Sequence, residues 1–152
     1  MPNKIHLTVA TVIVRDNRYL MVRETDAGKS VINQPAGHVE PGEDIVDAAI
    51  RETFEETGWH VEIQDFLGFY SYKSPINDAT YYRIAFTARA LSLDAEATID
   101  TDIDEVLWLS ASEIRDNIDN LRSDLVIECL NDFEQGRVFP VEIIRNRFKY
   151  IL

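Results

Sequence analysis

The sequence has one cysteine, Cys129, so no internal disulfide can form. It sits in the apolar run LVIECL and is expected to be a buried core thiol. No apolar run approaches the ~18–20 residues that a membrane-spanning helix needs. The N-terminus lacks a basic segment followed by an apolar stretch, so no signal peptide is expected, and a cytoplasmic location is the default. Basic residues are few: Lys and Arg total 15 against 27 Asp and Glu, with a net charge of −12 and a pI of about 4.6. That balance argues against a nucleic-acid-binding surface, which needs a basic stripe. It also means that an anionic substrate has to be drawn in by a metal or a local cluster of cations, not by the overall field. Linkers, repeats and low-complexity segments are missing too. The 152 residues are expected to form one domain, 1–152. A phosphate-binding loop is absent as well. The stretch AGKS would need a glycine five residues before Gly28, where Arg23 stands. The histidines His6, His38 and His60 lack metal-ligand spacing.

Hydrophobic residues make up 45% of the chain, enough for a sizeable core. Lys4 to Val14 and Arg18 to Arg23 read as a hairpin about an Asp16-Asn17 turn, followed by a polar loop from Glu24 to Lys29. Val31 to His38 reads as a short strand that runs into a loop. Paired strands are expected over His60–Ser74 and Thr80–Leu93, and an acidic loop over 94–104. A short strand follows at Glu105–Leu109, then a helix start at Ser110, and a second long helix at Leu121–Gln135 that Gly136 ends. The tail FPVEIIRNRFKYIL has strand-like content but no clear pattern. Strands around a helix, then more strands and helices, predict an α+β fold layered as an α-β-α sandwich.

The most informative stretch is Gly37 to Trp59. Asp44 to Thr57 reads as a helix, with acids at its start and Gly58 suited to the left-handed position past its end. Val46, Ala49, Ile50 and Thr53 share one face; Glu52, Glu55 and Glu56 share another. Three like charges repel by roughly 0.2–0.5 kcal/mol per pair, and a hard divalent cation with oxygen ligands removes that repulsion. An acidic face of this kind can also be an ordinary solvated one. The nine positions Gly37, Glu43, Arg51, Glu52, Thr53, Glu55, Glu56, Gly58 and Trp59 match the pattern Gx5Ex7REUxEExGU, with Thr53 a soft departure at the first bulky position. On these residues the chain resembles a Nudix hydrolase. HLTVATVIV, NQPAGHVEPGE, DTDIDEVLWLSASEI and NLRSDLVIECLNDFEQGRVFPVEII further resemble the phosphatase NudJ group of that family.

The resemblance implies a mixed sheet between helices, and a Mg²⁺ cofactor for which Mn²⁺ can substitute. It implies that Glu55 and Glu56 are metal ligands, that Glu52 is a ligand or base, and that the Gly37 carbonyl completes the shell. Arg51 would orient Glu52 and Glu43. A loop acid beyond the motif often serves as base in this family; Asp102, Asp104 and Glu105 are the candidates. Lys29, Arg23, Lys73 and Arg83 are candidate phosphate contacts. Tyr70, Tyr72, Tyr81 and Tyr82 offer either stacking on a flat ring or cross-strand packing. The expected partner is a small organic di- or triphosphate, with no nucleic acid and no membrane, acted on by a monomer or weak homodimer. The expected reaction releases orthophosphate from nucleoside di- and triphosphates and from the pyrimidine diphosphates of thiamine metabolism. The alternatives are a pyrophosphohydrolase cutting an internal anhydride, as in ADP-ribose or a dinucleoside polyphosphate, and a non-catalytic nucleotide sensor. Retention of all three glutamates argues against the sensor.

Overall fold

The computed structural model describes residues 4–145. Strand β1 (Ile5–Arg15) is the axis of a seven-stranded sheet in the order β3-β2-β1-β6-β5. It runs parallel to β6 (Thr80–Leu93) from Ile5 to Ile13. Its other edge is divided. The end near Val14 pairs antiparallel with β2 (Arg18–Asp26), while Thr8 to Ala10 pair with β4 (Ala36–His38). Strand β2 carries β3 (Lys29–Asn33) and β7 (Ile103–Leu109); β6 carries β5 (Trp59–Lys73), also antiparallel. One parallel pair among antiparallel ones makes the sheet mixed, as expected.

Helix α1 (Ile45–Thr57) covers one face, packing Val46 and Ala49 against Val9, Ile84 and Phe86. Helix α3 (Asp124–Glu134), with the short α2 (Ala111–Asp116) beside it, covers the other, over Ala10, Val12, Met21 and Leu67. Fully buried Cys129 lies in that second layer. The result is an α+β fold in three layers.

Three expectations about local structure are revised. The polar stretch Glu24–Lys29 is two strand ends joined by a tight turn, with Ala27 and Gly28 at φ 51° and 79°. Two positive φ values match the twist of the flanking strands, and a turn that short leaves no loop. The helix expected from Leu121 starts at Asp124. Leu121 instead bridges Ile32, Arg122 N–H donates to the Ile32 carbonyl at 2.8 Å, and Ser123 caps α3. Strand β7 begins at Ile103, inside the stretch taken as loop. Of the unassigned tail, Phe139 pairs with Phe66 and a 3₁₀ turn spans Val141–Ile143; residues 146–152 lie outside the described residues.

Candidate active site

Helix α1 is fixed at both ends by its own sequence. Asp44 accepts the Asp47 N–H at 3.3 Å, and Gly58, at φ 77°, donates to the Phe54 carbonyl at 2.8 Å. Thr53 satisfies its buried hydroxyl locally, donating to the Ala49 carbonyl at 2.8 Å beside the Thr11 hydroxyl, also at 2.8 Å. A threonine therefore serves where the motif favours a bulky apolar residue. The opposite face is held by Arg51. Its Nε and Nη2 fork onto Glu43 at 2.6 and 2.8 Å, and its Nη1 donates to Glu52 at 2.9 Å and Glu55 at 3.0 Å. Nη2 also reaches the His38 carbonyl at 3.1 Å. One guanidinium thus sets the rotamers of three carboxylates. Its hydrogen bond with Glu43 pushes its own pKa further up and holds Glu43 below the usual carboxylate range.

Glu56 faces inward. It is buried and accepts the Ala36 N–H at 2.9 Å. Burial pushes its pKa up to about 8, in spite of that hydrogen bond. Burial also raises Glu52. A carboxyl made costly to ionise in this way is receptive to a cation. Gly37 closes this side of the site: a Cβ there would stand 2.1 Å from the Glu52 carboxyl carbon, so only glycine lets that carboxylate lie against β4. Carboxylate oxygens of Glu52, Glu55 and Asp100 lie within 4.8 Å of one another. Asp100 is brought there by its N–H, which donates to the Glu55 carbonyl at 3.0 Å. These are hard oxygen donors in excess over the Arg51 guanidinium that meets two of them, and they fit a divalent ion. Gly37→Ala should displace the Glu52 carboxylate, the mobile end of a side chain, and leave the fold intact. Activity is expected to fall roughly 10²-fold with little change in Tm; unchanged turnover would show that the close approach has no role.

The carboxylates open into a cleft of about 420 Å³. Glu52, Glu56, Gly37 and His38 line one end, and Asp100 and Asp102 enter from the loop before β7. The floor carries Tyr72, Tyr81 and Arg83 of the sheet, and Glu24, Asp26 and Arg122 line the cleft as well. Several residues singled out from the sequence do not line it. Asp104 accepts from the Thr25 hydroxyl at 2.8 Å, and Glu105 pairs with Arg23 at 3.2 Å on the surface. Lys29 donates to the Asp119 carbonyl, and Lys73 pairs with Asp78. Tyr70 sits beneath α3 with its hydroxyl on Asp132 at 2.7 Å; Tyr82 points to the opposite face from Tyr81 and packs on Phe69. Strand alternation explains the tyrosines: Tyr81 and Tyr72 are cross-strand partners on the cleft face, and Tyr82 falls on the other. Sequence reasoning passed over Asp100 and Arg122. Asp100 was legible only as one acid among several in TIDTDID. Arg122 pairs with Glu24 at 2.7 Å and Asp26 at 3.1 Å, contacts set by the bridge between Leu121 and β3.

A mixed sheet between helices, with an arginine-braced glutamate helix packed on one face, is the layout of a Nudix hydrolase, and the NUDIX domain model matches residues 4–129: the chain belongs to the Nudix hydrolase family. Phosphatase NudJ of Escherichia coli K12 is 38% identical over 141 residues, which span 93% of this chain and 91% of that protein. A Nudix hydrolase from Nitrosomonas europaea superposes with a TM-score of 0.92 at 37% identity, covering 97% of this chain and all of the other. The MutT protein of Methanosarcina mazei Go1 shares the fold alone, with a TM-score of 0.71 at 18% identity over 90% of this chain and 99% of its own.

Proposed function

We propose that the protein is a Mg²⁺-dependent phosphatase of nucleoside di- and triphosphates that releases orthophosphate and also accepts pyrimidine diphosphates of the thiamine type. The observation that carries this reading is the cleft itself. Glutamate carboxylates at one end suit a phosphate-bound cation, and a paired Tyr72–Tyr81 surface lines the floor. Similarity to a protein named a phosphatase supports the orthophosphate-releasing outcome. Glu52, Glu55, Glu56 and Asp100 would hold the cation, with the Gly37 carbonyl beside them. A bound cation would neutralise the substrate phosphates and lower the charge barrier to attack.

The other steps fall to the chain. Arg51 keeps Glu52 in one rotamer, and burial raises the proton affinity of Glu52; both suit it to accept a proton from the attacking water. Tyr81 is stiffened by a stack on His6, with ring centroids 4.6 Å apart and planes 12° apart, and His6 is hydrogen-bonded to His38 at 2.8 Å. A tyrosine surface meets any flat ring by its π-face and carries little hydrogen-bond code, so broad base specificity is expected. The test is a panel of nucleoside di- and triphosphates and pyrimidine diphosphates with Mg²⁺, with orthophosphate and pyrophosphate read separately. Sequential orthophosphate release from a triphosphate is the expected result. Pyrophosphate and a monophosphate formed in one step would favour the pyrophosphohydrolase instead.

A further inference from the structure

Arg83 stands out among the cations of the cleft. It is 5% exposed, yet it lines the cleft floor. Its Nη1 donates to Gln34 Oε1 and its Nη2 to Asn33 Oδ1, each at 2.9 Å, and Cys129 Sγ lies 3.9 Å from Nη1. All of these are neutral groups; burial pushes the Cys129 thiol up, so it stays protonated. Among the described residues Arg83 makes no ion pair, whereas Arg51 and Arg122 each meet two or more carboxylates. The two amides are themselves anchored: Gln34 donates to the Val126 carbonyl at 2.9 Å, and Asn33 donates to Glu24 at 3.3 Å. They aim the guanidinium without neutralising it. A buried charge whose direct hydrogen-bond partners are all neutral, with the nearest carboxylate, Glu24, reached only through Asn33, is costly unless a counter-ion arrives from outside.

We infer that Arg83 is an anion receptor that takes a phosphate oxygen of the substrate, at a point between the ring and the reacting phosphate. The inference rests on the phosphatase reading above. Its placement comes from the sheet. Tyr81 lies two residues back on the same face of β6, about 7 Å away along the strand. On the other side, Thr8 pairs with both Arg83 and His38, so Arg83 is two strand widths, about 10 Å, from the β4 backbone next to Gly37. A ring on the tyrosines and a phosphate at the carboxylates therefore leave an intervening phosphate over Arg83.

The test separates binding from turnover. Full-length protein in EDTA is melted with increasing inorganic phosphate against chloride at matched ionic strength. Wild-type Tm should rise with phosphate, while Arg83→Met should melt no lower than wild type without phosphate and should not respond to it. An equal phosphate response in both proteins, or no response in wild type, overturns the assignment. So does a Met variant that is much less stable while wild type ignores phosphate, because Arg83 is then only structural. Arg83→Lys covers the case in which the Met variant does not fold: it keeps the charge but loses the fork. It should raise KM for a nucleoside diphosphate about ten-fold or more, with kcat within about three-fold, and an unchanged KM overturns the proposal. Because the phosphate titration needs no catalysis, it still judges Arg83 if the nucleotide panel fails to release orthophosphate.

Discussion

Metal-free protein should lose stability as the pH rises from 6.5 to 8.5, and Mg²⁺ should restore it. The reason is Glu56. Its folded pKa is about 8, against 4.5 when unperturbed, with burial as the leading cause. A carboxyl raised in the folded state binds more protons folded than unfolded between those two values. Stability from this group is therefore fully present below about 4.5 and is lost as the pH climbs through 8. Glu52 is shifted in the same direction. His38 is held below 6.5 by burial and by His6, so it favours the folded state more as the pH rises, but only up to about 6.5. Above that pH the carboxyl effect dominates, and the raised Cys129 thiol adds a loss of the same sign near the upper end of the range. Over 6.5–8.5 linkage gives a loss of about 2 kcal/mol, or roughly 4–8 °C in Tm for a chain of this size.

Mg²⁺ selects the ionised carboxylate, so its stabilising shift should grow with pH and the slope should flatten. Glu56→Gln keeps an acceptor for the Ala36 N–H and removes the ionisation. It should remove most of the pH slope, leaving the smaller part due to Glu52, leave the metal-free protein more stable at pH 8.5 than wild type, and lose most of the Mg²⁺ response and of the activity. Thermal melts of both proteins, with EDTA and with Mg²⁺, decide it. A flat wild-type profile, or a fully active Gln variant, would refute the role given to Glu56.

The parts of the fold and site that were legible in the sequence share a cause: their determinants are local. The α1 helix is written in Asp44, the apolar positions and Gly58, all within a few turns of one another. Strand β6 was readable from Thr80 to Leu93 because apolar and aromatic residues recur throughout it, from Tyr81 to Leu93. The brace of Arg51 on Glu43 and Glu52 follows from helical spacing plus one motif position, and the structure adds Glu55 to it. What was not legible depends on pairing between distant segments. The choice among four tyrosines is a question of which strand face meets the cleft, and a single sequence does not fix the register of β5 against β6, which contains several bulges. Asp100, not Asp104, reaches the glutamates because of one backbone hydrogen bond to the end of α1. Arg122 belongs to the cleft only because α3 begins later than its apolar pattern suggests. Arg23 and Lys29 carry suitable charge but lie on surface strand ends joined by a tight turn, a turn whose polar residues read as a loop.

The same geometry divides the candidate bases. Asp104 is hydrogen-bonded to Thr25 and Glu105 is paired with Arg23, and neither lines the cleft. Asp104→Asn and Glu105→Gln should therefore keep kcat within about two-fold, since a base must come within hydrogen-bond reach of the proton it takes, directly or through one water. Asp102 does line the cleft, but among the described residues no hydrogen bond or ion pair holds its side chain, whereas Glu52 is half-buried, raised in proton affinity and held by Arg51 at 2.9 Å. Glu52→Gln is expected to lower kcat by ~10²–10⁴, the range that a general base supplies, and Asp102→Asn by less than about ten-fold. Loss of a base must be told from loss of a ligand. Mn²⁺ titration of the Glu52 variant does this, because Glu55, Glu56 and Asp100 remain to bind the ion: affinity should weaken far less than kcat falls. If Glu52→Gln instead keeps kcat within ten-fold while Asp102→Asn loses two orders of magnitude or more, the base is on the loop, and Glu52 serves the metal alone.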